Sequence, residues 1–181
     1  MHSESRAART AHDRRAQTPI LDIMLETRAA TLADAALMAS HRKAMFAAMG
    51  AAGEAVLEIM RRNSEPWVKR MILEGKYAGW ITIDSNRPAA SAGLLILDWP
   101  PHPLDPTGEQ RGYLLNVFVE PDYRRRGLAR ELVRLCLAEA RRRRIRVVTL
   151  HSSDAGRPIY EGFGFHPTNE MLFAESREEG N

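Results

Sequence analysis

The segment 121–129, PDYRRRGLA, lies between an apolar run at 113–119 and an amphipathic stretch at 129–143. That order predicts a strand, a cationic glycine turn and a helix, and so commits this part of the chain to an α/β arrangement. A helix start carries unpaired backbone N–H groups and a partial positive charge, so it attracts anions. Gly127 lets the backbone approach a ligand closely, Ala129 keeps the next turn slim, and Arg124, Arg125 and Arg126 add charges suited to phosphate. The combination has the character of a pyrophosphate cradle. It is neither a G-x-x-x-x-G-K-[ST] loop nor a G-x-G-x-x-G turn. Its pattern is R-x-x-G-x-A directly after V-x-V-E-P.

The helix expected at 127–143 shows how such a turn is anchored. Leu128, Leu132, Leu135 and Cys136 fall on one stripe, and Ala129, Val133, Leu137 and Ala140 widen it. Arg130, Glu131, Arg134 and Arg141 lie towards the other side. Packing the stripe on a sheet fixes the helix axis and aims its N-terminus. Further on, RVVTLH at 146–151 is β-branched and suits a buried strand. SSDAG at 152–156 supplies loop and helix-start residues, and IYEGFGF follows at 159–165.

Two motifs in this order resemble the GNAT superfamily of acyl-CoA N-acyltransferases. The family's coenzyme A loop has the form V-x-x-x-x-[RQ]-x-x-G-x-[GA], and Val119, Arg124, Gly127 and Ala129 occupy its key places. The family also carries Y-E-x-x-G-F on a short helix after the next strand; Tyr160, Glu161, Gly164 and Phe165 match it. The resemblance is clear over 91–173. Glu26-Thr27-Arg28, followed by Thr31 and Asp34 in capping-box spacing, is similar to the family's opening strand and first helix.

The resemblance implies an α/β fold with a mixed, mostly antiparallel central sheet, flanking helices and a coenzyme A site at the fourth strand, the following helix and the fifth strand. It implies acetyl-CoA as co-substrate, with no metal, and direct transfer to an amine in a ternary complex. Backbone groups of Val117, Phe118 and Val119 would pair with pantetheine, and one N–H near Phe118 or Val119 would polarise the thioester. Arg124, Arg125, Arg126, Gly127, Leu128, Ala129 and Arg130 would cradle the pyrophosphate, with Ser153 also on the coenzyme. Tyr160 would protonate the departing thiolate. Where some relatives carry a glutamate base, this chain has VTLH at 148–151. Asn116, Glu109, Asp98 and His151 stay open as water-linked bases, and the acceptor stays open among amino acids, polyamines, antibiotics and peptide amino groups.

The remaining expectations are broader. Residues 1–18 are expected to be a disordered tail, 19–175 a single domain and 176–181 a C-terminal tail. Strands are expected at 23–27, 77–84, 90–98, 113–119, 147–151 and 171–174, with a hairpin turn at 85–88 and a proline-dense loop at 99–112. Helices are expected at 31–49, interrupted at Gly50 and Gly53, then at 54–63, 66–74 with Pro66 opening it, 127–143 and 158–162. Hydrophobic content of 44% excludes a disordered composition, and the single cysteine, Cys136, excludes an internal disulfide framework. No apolar run approaches the roughly 18 residues of a membrane span, and no secretory signal is visible, which gives a cytoplasmic expectation. Net charge is +3, with arginine concentrated at 124–126 and 141–144. The second group suits a solvated helix C-terminus rather than nucleic acid. His102, His151 and His166 have no metal-ligand spacing. Two alternatives to the enzyme remain, a coenzyme A-binding sensor without activity and an arginine-mediated nucleic-acid binder; a homodimer is also left open.

Overall fold

The computed structural model describes residues 25–175; the expected tails at 1–18 and 176–181 lie outside it. Five strands form one sheet in sequence order. They are β1 (Leu25–Ala29), β2 (Tyr77–Asp84), β3 (Arg87–Asp98), β4 (Gln110–Val119) and β5 (Val148–Thr149). The first four pair antiparallel, and β5 joins β4 in parallel. α1 (Ala35–Ala48) and α2 (Glu54–Leu73) cover one face, α3 (Leu128–Arg142) covers the other, and α4 (Arg157–Glu161) follows β5. The mixed, mostly antiparallel α/β sheet expected from the sequence is therefore present.

Alternation along the strands divides the core. Ala90, Ala92, Leu94 and Ile96 of β3 face Leu132, Val133, Cys136 and Ala140 of α3. Tyr77 and Ile81 of β2 face Met38 of α1 and Val68 of α2. The stripe on α3 thus buries only in part: Leu132 and Cys136 are buried with Val133 and Ala140, Leu128 and Leu137 pack half-buried against them, and Leu135 lies outside the cluster, with each fully buried aliphatic side chain contributing roughly 1.5–3 kcal/mol. Cys136 is a buried structural thiol whose pKa burial pushes up. His41 of α1 is also buried; its Nδ1 lies 2.8 Å from Ser91 Oγ and its ring 5.0 Å from that of Phe118. Burial lowers the His41 pKa to about 4, so the ring is neutral at neutral pH.

Local chemistry explains most boundaries. The Thr31 N–H and hydroxyl both donate to Asp34 Oδ2, at 2.7 and 2.9 Å, which starts the first helical region as a 3-10 turn at Leu32–Asp34. The Arg28 guanidinium grips the same carboxylate at 2.8 Å and holds its pKa well below the usual range. Ser85 and Asn86, with φ of 47° and 80°, make a two-residue primed turn between β2 and β3. The turn is thus shorter than the four residues expected, and β3 begins at Arg87.

Four expectations fail for identifiable reasons. Pro66 opens no separate helix but lies inside α2. Proline removes one N–H, yet Leu57, Ser64 and Val68 are buried along one side of α2, so packing carries the helix past the missing bond. β1 ends two residues later than the expected strand, whose first two residues lie outside the described ones, and its partner β2 sets the register from Leu25↔Asp84 to Ala29↔Trp80. β5 keeps only two of five expected residues, because its ladder with β4 is limited to Gly112↔Val148 and Tyr113↔Thr149. No strand forms at 171–174; Met171, Leu172 and Phe173 are exposed and no described strand pairs with them. An apolar run becomes a strand only where a partner offers free backbone groups.

Gly93 of β3 is a sharp packing constraint. A Cβ there would coincide with the Tyr77 hydroxyl. Gly93→Ala must displace the buried Tyr77, so its urea midpoint should fall by a stability loss of roughly 1–3 kcal/mol. An unchanged midpoint would show that Tyr77 is not seated over β3.

Candidate functional site

The site begins with an inverted residue in β4. Asn116 has φ of 56°, in the left-handed region, and is 3% exposed. Opposite it the β3 register jumps: Gly93 pairs with Leu115 but Ser91 pairs with Phe118. One extra residue in one strand is a β-bulge, and it reverses which side of the strand each backbone group faces. The hydrogen bonds show the reversal. The Gly112 N–H donates to Val147 O at 2.9 Å, towards β5, whereas the Glu120 N–H donates to Ala89 O at 2.9 Å, towards β3. Beyond the bulge, alternation turns Val117 and Val119 outwards and Phe118 towards β3. Since β5 leaves the ladder after Thr149 opposite Tyr113, the outward edge at Val117 and Val119 has no strand partner among the described residues.

The bulge is held from the α1 side. The Asn116 Oδ1 accepts from Arg42 Nη1 at 2.6 Å, and its Nδ2 donates to the buried Tyr77 hydroxyl at 3.5 Å. Arg42 also stacks over Phe46 at 4.9 Å. On the same face the Tyr113 hydroxyl is hydrogen-bonded to His151 Nδ1.

The strand edge leads into the arginine loop. Arg125 and Gly127 have φ of 61° and 82°, bracketing Arg126. Such alternation turns successive N–H groups into a concave anion-binding nest. The backbone N–H groups of 125–130 have no backbone acceptor among the described residues; the next one, of Glu131, donates to Gly127 O at 3.0 Å. A Cβ on Gly127 would meet nothing within 4 Å, so a side chain at this position has open space.

The arginines divide their work in a way that composition does not reveal. Arg124 Nε donates to Val119 O at 3.2 Å, and Arg126 Nη2 donates to Asp122 O at 2.9 Å while stacking over Tyr123 at 5.2 Å. These two brace the loop. Arg125 is exposed with no hydrogen bond to a described residue, and Arg130 lies over Phe163 at 5.2 Å. Leu128 and Ala129 are half-buried at the helix start. The Ser153 hydroxyl accepts from the Gly156 N–H at 3.2 Å, bracing the start of α4, and keeps its own proton for another partner.

Tyr160 packs with Ile159 and Phe163 against the α3 side of the core, edge-on to Phe165 at 6.1 Å. Its hydroxyl has no hydrogen-bond partner among the described residues. Burial raises its pKa, so the group stays protonated at neutral pH. Among the base candidates, Asp98 is ion-paired with Lys76 at 2.8 Å and lies opposite Gln110, at the far end of β4. Glu109 precedes that end, and Asn116 is an amide already engaged by Arg42. His151, just beyond β5, is the one placed beside the opening.

The second arginine group is distributed differently. Arg142 and Arg143 both pair with Glu139 at 2.7 Å, and Arg143 also donates to Gly75 O at 2.7 Å. They tie down the C-terminal end of α3, the end opposite the nest.

The chain matches the model of the acetyltransferase (GNAT) family over residues 33–165. Among solved structures it is similar to a GCN5-related N-acetyltransferase from Ralstonia eutropha, at 34% identity over 83% of this chain and 98% of the other, with a TM-score of 0.78. It is also similar to a predicted acetyltransferase from Clostridium acetobutylicum crystallised with acetyl-CoA, at 27% identity over 84% and 96% of the two chains and a TM-score of 0.74. Glucosamine-6-phosphate N-acetyltransferase from Arabidopsis thaliana shares the fold at 18% identity, 85% and 99% coverage and a TM-score of 0.57. No curated protein matches the chain.

The open nest makes a direct prediction. Gly127→Ala and Gly127→Glu carry the same strain from positive φ, roughly 1–2 kcal/mol, but only glutamate places bulk and negative charge before the free N–H groups. Calorimetry should show acetyl-CoA binding at least about tenfold weaker for Gly127→Glu than for Gly127→Ala, while Arg141→Gln with Arg142→Gln leaves it unchanged. Equal affinities for the two Gly127 variants would place the coenzyme elsewhere.

Proposed function

Because this chain belongs to the GNAT acetyltransferase family, we propose that it transfers the acetyl group of acetyl-CoA to the primary amine of a small molecule or peptide by direct attack. One observation carries the proposal: the unpartnered β4 edge at Val117 and Val119 runs directly into the nest of free N–H groups at 125–130. A pantetheine amide chain fits such an edge as an added strand, and a pyrophosphate fits such a nest.

In this account the outward backbone groups of Val117 and Val119 bind the pantetheine, and one N–H polarises the thioester carbonyl. Phe118 turns its backbone towards β3 and packs its ring on His41, so it supports the strand rather than pairing with the pantetheine. The N–H groups of 125–130 and the Arg125 guanidinium bind phosphate, with Arg124 and Arg126 bracing the loop and Arg130 and Ser153 at its margins. The amine gives up its proton by way of His151 and its Tyr113 partner, and attacks the carbonyl carbon. The C–N bond forms, the C–S bond breaks, and Tyr160 supplies the proton that the thiolate takes. The products are an amide and free coenzyme A.

An amine panel scored for thiol release tests the activity; amine-dependent release is expected. Coenzyme binding without release for any amine would favour a sensor. The proton step has its own test. Tyr160→Phe keeps the ring packed against Phe165 and removes only the hydroxyl, so turnover should fall about 10²-fold while coenzyme affinity holds. The deficit should shrink with acyl donors whose thiol leaves more easily. Equal turnover, with chemistry rate-limiting, would leave thiolate protonation to water.

A further inference from the structure

We infer that the acyl acceptor carries a carboxylate, and that Arg42 recognises it. The inference rests on the amine-acetylating reading and names its substrate class. Arg42 lies half-buried on α1, held by Asn116 Oδ1 at 2.6 Å and by the Phe46 ring at 4.9 Å. Guanidinium has five donors in a planar fork, and only one of these is engaged by a described residue. No described carboxylate lies within ion-pair distance of it, although neighbouring cations are matched: Lys43 pairs with Glu54 at 2.6 Å and Glu58 at 3.0 Å, and Arg28 pairs with Asp34. A partly desolvated cation without a counter-charge is costly, and a bound anion offsets that cost.

The position ties this cation to the reaction. Asn116, its partner, directly precedes Val117, whose outward N–H opens the unpartnered edge. An anion on Arg42 and an amine at that edge therefore fit within one small molecule. The charge count selects the anion. Arg42 is one unmatched cation; His41, its neighbour on α1, is buried and neutral, and Lys43 is already paired. A monoanionic carboxylate balances it, whereas a phosphate dianion would leave charge unmatched. The fork geometry also suits bidentate carboxylate binding.

The test pairs free amino acids with their carboxamides as acceptors and reads kcat/KM for each pair. The parent enzyme should favour the best acid over its amide by about 10²-fold, in line with a half-buried charge-assisted contact. In Arg42→Gln that ratio should collapse towards one, and Arg42→Lys should restore part of it. Because each ratio is taken within one enzyme, a general loss of fold does not imitate the effect. Acid and amide used equally by the parent, or a ratio unchanged in Arg42→Gln, overturns the carboxylate assignment while leaving the transferase intact. Turnover of no amine at all overturns the transferase reading, and this assignment with it.

Discussion

The site depends on the hydrogen bonds that hold Asn116 in a left-handed conformation inside β4. A non-glycine residue there costs on the order of 1 kcal/mol or more, and it persists only where its surroundings impose it. Arg42 and Tyr77 do so from the helical face, and Tyr77 reaches Asn116 only because Gly93 leaves room on the neighbouring strand. The consequence is topological. One inserted residue reverses the facing of every backbone group after it. Groups that would have been consumed by β3 are turned to the open edge, next to the point where β5 departs. A glycine, a tyrosine and an arginine distant in sequence thus cooperate to expose two valine amides.

The arginine loop is built by a different route. α3 is fixed by the burial of Leu132, Val133, Cys136 and Ala140, and that rigid axis presents a helix N-terminus at the end of the same strand. Positive φ at Arg125 and Gly127 gathers the N–H groups, while Arg124 and Arg126 fold back onto backbone carbonyls. The loop's charge is therefore partly structural. Electrostatic repulsion among adjacent arginines is relieved by sending them to separate acceptors.

What the sequence made legible follows from how local each cause is. The nest could be read because a glycine at positive φ, a cationic run and an amphipathic helix are contiguous. The α3 stripe and the burial of Cys136 could be read from 3.6-residue periodicity. The Thr31–Asp34 cap could be read because its partners are three residues apart. The bulge could not: Asn116 is one polar residue in an otherwise apolar run at 113–119, and its conformation is set by residues 39 and 74 positions away. For the same reason Arg42 is not legible as a site residue, since its isolation from the described carboxylates is a fact of three-dimensional packing. Pro66 misled because a local breaker was outweighed by tertiary burial, and the expected strand at 171–174 misled because propensity does not supply a partner.

The central claim is that the reversed edge of β4 and the arginine nest form one continuous binding surface. Amide hydrogen exchange with and without coenzyme A measures this directly. Slowed exchange at Val117, Val119 and residues 125–130, with little change at residues 141–146 at the other end of α3, is the predicted result. Protection of the nest without Val117 and Val119, or protection centred on residues 141–146, would contradict it.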